Sequence, residues 1–379
     1  MTSIFKSPFW EAFGLFGGMI IGSGMFLLPY AVSVSGLWAS IAAVILAFFA
    51  VLSIHLAYGE IVVNTEEKHR FPGYAKFYLG NFAGNFNKFF QIVSFNIALL
   101  IYGVLGGVFL ATIFGGSEFY WSLFFFGISA GILFFESIER IGFLNFILVI
   151  PLIAVVLFLS FLAFIKGEVR NIPLSGSDPF FVFGIFLFAL TGLSAIPDTR
   201  EVLKSGEEAR IFKRVIISGT AVPLILYIVF VFSMLMALGG FVPKDAISGL
   251  SDILGRNVVI FGALAGFLAV ITSFLALAYD LRKIYELDIK APKALARTAS
   301  VFLPALLFVF GLKDFAQLIS IVGGVFIAID GFFVIFILRE MRKTGRAVRR
   351  FLPFGPLQQA LLFLVFTASI IYELVYQIL

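Results

Sequence analysis

The sequence predicts an all-α, polytopic membrane protein with eleven transmembrane helices, two of them interrupted. Three observations carry this. First, the 379-residue chain is 61% hydrophobic and only 13% charged, with a mean hydropathy of +1.08, whereas soluble domains sit near about 45–50% apolar and 25% charged. Second, the apolar residues fall in runs of membrane length. Third, two runs carry the same glycine–proline interruption at corresponding places, the sequence mark of an inverted-repeat transporter.

A span needs about 20 mostly apolar residues. In order, the runs are 9–34, 37–63, 86–114, 119–136, 142–165, 180–200, 211–238, 257–281, 298–312, 315–338 and 354–377. The first contains I-G-S-G-M-F-L-L-P, with Gly22, Gly24 and Pro29 where a helix should be most regular. The third carries Gln91, Ser94 and Asn96 inside an apolar stretch. The sixth reads F-L-F-A-L-T-G-L-S-A-I-P-D, in which Gly192 precedes Pro197 by the interval that separates Gly24 from Pro29. Five spans per unit is an odd number, so the second unit is inverted relative to the first. A weaker echo pairs I-V-S-F-N-I-A-L in the third span with I-T-S-F-L-A-L-A in the eighth. No soluble domain fits between the runs, so 1–379 reads as one transmembrane domain. Its repeats cover about 9–165 and 180–338, and one further helix covers about 354–377. The first eight residues show no cleavable-signal pattern.

Basic residues set the orientation. With the N-terminus in the cytoplasm, only Lys166, Arg170, Lys244, Arg256 and Lys313 fall outside, of 27 lysines and arginines. The C-terminus is then outside and the host is the cytoplasmic membrane. The run R-x-x-R-K-x-x-R-x-x-R-R after the tenth span reads as a topology anchor. The chain has no cysteine, which excludes disulfides and thiolate ligands. Its two histidines, His55 and His69, lie far from other ligand-type residues, which argues against a metalloenzyme. No polar stripe suggests a channel, and nothing points to nucleic acid.

G-S-G-M-F-L-L-P, F-A-L-T-G-L-S-A-I-P and A-V-I-T-S-F-L-A-L together resemble the amino acid–polyamine–organocation superfamily. The likeness is closest to its amino acid/auxin permease branch, which includes bacterial hydroxy- and aromatic-amino-acid permeases. That resemblance implies the five-plus-five fold of the bacterial leucine transporter with helices 1 and 6 broken, plus one C-terminal helix. It also implies import of small-molecule L-amino acids with a cation, and no enzyme activity or bound cofactor.

Irregular backbone at membrane depth is tolerated only where it lines a cavity. Freed N–H groups at Gly22, Ser23 and Gly24 suit a carboxylate, and freed carbonyls from Thr191 through Gly192 to Ser194 suit an ammonium. Ser94, Asn96 and Phe188 are pocket candidates for the substrate side chain. The resemblance places a sodium site on the carbonyls of Gly18, Ile21 and Ala269 and the hydroxyls of Thr272 and Ser273. Proton coupling is the alternative, with Asp330, His55 and Glu60 as relay candidates. Asp330 lies about 12 Å into the tenth span at 1.5 Å per residue, and an intramembrane carboxylate points to function. The fifth span has no lysine before Lys166, where some proton-coupled relatives carry one. An exchanger, or a non-transporting sensor on the same fold, also remains open at this point.

Overall fold

The computed structural model describes residues 8–67, 69–135, 138–203 and 208–378. Lys6, Lys68 and Lys204, which entered the charge count, and residue 136, the expected end of the fourth span, lie outside them.

All regular structure there is helical. The first span is two pieces, α1 (Pro8–Ile20) and α2 (Leu28–Ser35), joined through a 3-10 turn, Ser23–Leu27. The pieces meet at 42°. Next come α3 (Leu37–Asn64), α4 (Phe71–Leu79), α5 (Asn81–Phe114), α6 (Glu118–Phe135) and α7 (Ile138–Lys166). The sixth span is also two pieces, α8 (Phe181–Leu190) and α9 (Ala195–Val202). The second half continues with α10 (Glu208–Leu238), the one-turn α11 (Ser251–Leu254), α12 (Arg256–Lys283) and α13 (Lys293–Val309). A tenth span follows as α14 (Phe315–Ile321), a π-helical stretch Val322–Ile327 and α15 (Ala328–Lys343). The last span is α16 (Pro356–Tyr372), ending in a second π-helical stretch, Glu373–Ile378.

Among the described residues, eight helices are long and apolar enough to cross a membrane, or nine with α1 and α2 counted as one bent span. The helices α6 and α13 are shorter. Every expected span has a helical counterpart. The departures are local. The stretch between the second and third expected spans holds α4, which proline at its N-terminal turn starts and which Gly80, at φ +89°, separates from α5. The glycine can adopt that backbone because it has no Cβ. Packing also extends α5 back to Asn81 and α13 back to Lys293, since helix ends follow tertiary contacts that a hydropathy window does not register.

The central packing is of α12 and α10 on the first-half helices: α12 runs along α5 and α7, and α10 along α1 and α7. The breaks in the first and sixth spans sit inside this bundle. Large apolar side chains such as Phe16, Phe26, Phe109 and Phe230 are fully buried around them.

The loop after α10 gives an orientation test. Ser248 donates to the buried Asp245 carboxylate at 2.6 Å, and burial pushes that carboxyl above its ordinary value. The exposed Asp252 is therefore the better reporter. In this cysteine-free chain, Asp252→Cys is expected to react with an impermeant thiol reagent only from outside the cell. Labelling solely from the cytoplasm would reverse the orientation.

Candidate functional site

The helix α1 stops at Ile20, and Gly22 is extended at φ −139°, ψ −155°. In the sixth span α8 stops at Leu190, Thr191 is extended at φ −73°, ψ 139°, and α9 restarts after Ser194. Both interruptions open on one cavity of about 120 Å³, lined by Gly22, Ser23, Gly24, Thr191, Gly192 and Ser194. Ser94 and Phe188 line it too, as do Gln91, Tyr102 and Asp330. Ser23 is 1% exposed; its hydroxyl faces that of Tyr102 but makes no well-formed hydrogen bond within the protein. A buried, unpartnered hydroxyl costs free energy unless a ligand or water completes it. The rings of Phe188 and Tyr102 stand 6.5 Å apart on one wall.

The glycines at the breaks have a packing role. A Cβ on Gly24 would lie 2.9 Å from Ala189 Cα, and one on Gly192 would lie 2.8 Å from Ile20 Cγ1. They are bare first because the two broken helices touch each other there. Gly22 faces the eighth span, where an added Cβ would sit 3.1 Å from Ser273 Oγ.

Each break is pinned from the opposite half of the chain. The Tyr227 hydroxyl, on α10, donates to the Ile20 carbonyl at 2.5 Å and reaches the Ala189 carbonyl at 3.2 Å. His55, on α3, accepts the Gly192 N–H on Nε2 at 3.0 Å. Its proton therefore sits on Nδ1 and goes to Thr220 Oγ1 at 3.0 Å, while Thr220 donates onward to the Ile216 carbonyl. Each pin lies about five turns into its helix at 3.6 residues per turn, consistent with an inverted repeat. With both ring nitrogens engaged, His55 braces the break.

The other candidates divide. Asp330 faces the cavity and accepts two hydrogen bonds from Gln91 Nε2, at 2.7 and 2.9 Å. Glu60 lies away from the cavity, fully buried and held by Arg342 through both oxygens at 2.7 and 2.8 Å. Asn96 also turns away, donating to the Ile92 carbonyl and the Tyr285 hydroxyl. Thr272 donates to the carbonyls of its own helix at Leu268 and Ala269, and the Gly18 Cα faces Val149. Of the five suggested cation ligands, Ile21 and Ser273 flank the first break.

Sequence reasoning missed Tyr227 and an ion cluster at the cavity's edge. Arg70, just before α4, binds Asp198 of α9 at 3.0 Å and Asp280 of α12 at 3.5 Å. Arg70 and Asp280 line the cavity. Asp280 inside the eighth span was a readable signal, but its partner stands far off in sequence.

Comparison with known proteins agrees with this architecture. The structure resembles MhsT in complex with L-phenylalanine at TM-score 0.71 and 15% identity, covering 96% of this chain and 97% of that one. It resembles the nucleobase-cation-symport-1 family transporter Mhp1 at TM-score 0.64 and 14% identity, over 97% of this chain and 91% of that one. A Na⁺-coupled sialic acid symporter matches at TM-score 0.63 and 14% identity, over 98% of this chain and 90% of that one. No curated protein sequence matches the chain. These likenesses show the fold. The family profile is more specific: it spans residues 6–374, and the chain belongs to the tryptophan/tyrosine permease family.

Proposed function

We propose that this secondary transporter carries L-amino acids with aromatic side chains across the cytoplasmic membrane, by cation symport with alternating access. The observation that carries the reading is the meeting of two interrupted helices on one cavity. Main-chain N–H groups near Gly22–Gly24 take the substrate carboxylate, and carbonyls near Thr191 take its ammonium. Phe188, Tyr102 and Phe95 on the wall offer ring faces and edges to an aromatic side chain. The structurally similar MhsT holds L-phenylalanine, which supports the same class. The Arg70–Asp198–Asp280 cluster ties three elements together at one end of the cavity and serves as a closure that must part for release there.

For the coupling ion we take sodium, bound by the carbonyls of Gly18, Ile21 and Ala269 and the hydroxyls of Thr272 and Ser273. The support is the placement of Ser273 against the first break. A proton is the second reading, favoured by the Asp330 carboxylate on the cavity wall. Proteoliposome uptake separates them. Thr272→Ala with Ser273→Ala removes two of five proposed oxygens and is expected to abolish sodium-driven uptake at fixed pH. Asp330→Asn, which keeps the shape, is expected to leave it. Uptake driven by a pH gradient without sodium that survives the double alanine change and collapses in Asp330→Asn would establish the proton instead.

A further inference from the structure

The last span carries a carboxyl group that the transport site does not use. Glu373 is 0% exposed and sits where α16 passes into its terminal π-helical stretch. Ser320, at the end of α14, donates to Oε1 at 2.6 Å. The second oxygen, Oε2, is buried without any partner. Bare backbone makes room for the group: a Cβ on Gly324 would lie 2.4 Å from Glu373 Cγ, and one on Gly184 would lie 2.9 Å from Oε1. The carboxyl is thus wedged between the outer piece of the broken sixth span, α8, and the π-helical stretch of the tenth.

Among the described residues, no cation compensates it. The helix α8, α14 and the stretch Val322–Ile327 contain no lysine, arginine or histidine, and α16 adds only Tyr372 among titratable residues. The charged group facing Glu373 is Asp178, before α8, which accepts the Tyr372 hydroxyl at 2.5 Å. A buried ion without a counterion costs several kcal/mol, and a like charge nearby adds to it. The neutral acid fits the site, with Ser320 donating to the carbonyl oxygen and Oε2 carrying the proton.

We propose that Glu373 is a proton-binding site, loaded from the membrane face that bears the loop 167–180, and that its protonation lets the sixth and tenth spans close on each other. The closed contact is direct: a Cβ on Gly323 would fall 1.7 Å from the Gly184 carbonyl oxygen. An ionised Glu373 needs water, and water enters only if α8 parts from the tenth span. The proton comes from the aqueous phase on that face, adds to one carboxylate oxygen as the spans close, and returns to water as they open. Protonation itself stands apart from the transporter reading; the effect on uptake rests on it.

Infrared spectroscopy of the purified protein in detergent at neutral pH tests the first part. The wild-type minus Glu373→Gln difference is expected to show the carbonyl stretch of a protonated carboxylic acid and no carboxylate bands. Ser320→Ala, a milder change, is expected to shift that stretch without removing it. Carboxylate bands in the difference, or an acid band that Ser320→Ala leaves unmoved, would overturn the assignment. The second part is read in proteoliposomes. Raising the pH above neutral on the face that bears the loop should lower wild-type uptake by up to about tenfold per pH unit, the limit for one titrating proton. Glu373→Gln should be flat. A Glu373→Gln profile like that of wild type would refute the closing role. If wild type moves no amino acid at all, the transport reading fails while the spectrum still decides the protonation state.

Discussion

Gly24→Leu is expected to weaken amino acid binding by more than about 100-fold and to lower thermal stability as well. Both effects follow from the 2.9 Å separation between an added Cβ and Ala189 Cα. Backbone on the far side cannot rotate away, so α8 must shift, and overpacking of this kind costs about 1–3 kcal/mol. The shift carries Phe188 and Thr191 with it. Hydrogen bonds to a charged substrate group are worth about 1.5–3 kcal/mol each, so misplacing two of them accounts for the affinity loss at 1.4 kcal/mol per tenfold. Gly22→Ala separates the two consequences. Its Cβ makes one tight contact, with a side-chain oxygen, Ser273 Oγ at 3.1 Å, so folding should survive while substrate and cation binding fall. Calorimetric titration together with a thermal melt reads both. Wild-type affinity in Gly24→Leu would remove the carboxylate site from the first break.

Glu60→Ala is expected to be the most destabilising single change away from the cavity, by about 3–5 kcal/mol, because it strands a largely buried arginine. Glu60 has 0% side-chain exposure and Arg342 has 16%. The carboxylate also accepts the Phe351 N–H at 2.8 Å, and Arg342 donates to the Leu352 and Pro353 carbonyls. The pair thus joins the second span, the tenth span and the segment leading into α16. Removing both charges, Glu60→Ala with Arg342→Ala, should recover part of the loss. Thermal unfolding in detergent checks this: a double-change loss equal to the sum of the Glu60→Ala and Arg342→Ala losses would show that the pair contributes no coupling.

The spans and both breaks were legible because each is a local property. Apolar runs and a Gly-to-Pro interval need no knowledge of the far chain. Ser23, Thr191 and Phe188 fell on the cavity for the same reason: they adjoin the interruptions. Pairings were not legible. Basic residues at span ends, such as Arg70 and Arg342, counted toward orientation, and nothing in their neighbourhoods indicated partners elsewhere in the chain. Asn96 shares a helix with Ser94 but points to another face, a matter of rotation about the axis that polarity alone does not settle. His55 looked titratable because a histidine in hydrocarbon is rare, while the Gly192 N–H that occupies it exists only once the sixth span is broken. Glu373 went unnoticed near the end of an otherwise ordinary final helix.

The crossed pins at the breaks have a consequence for biogenesis. Gly22 leaves the ribosome about 200 residues ahead of Tyr227, which at 5–20 residues per second is roughly 10–40 s. Throughout that interval the nascent first half sits in the bilayer with Ile20 lacking its anchor. The wait is the reverse for His55, which is in place long before Gly192 arrives. The earlier break is therefore the vulnerable one, exposed to misassembly or to quality-control proteases until the seventh span docks. Slowed translation between residues 22 and 227 would lengthen that exposure, whereas a pause after Tyr227 would leave both breaks already secured.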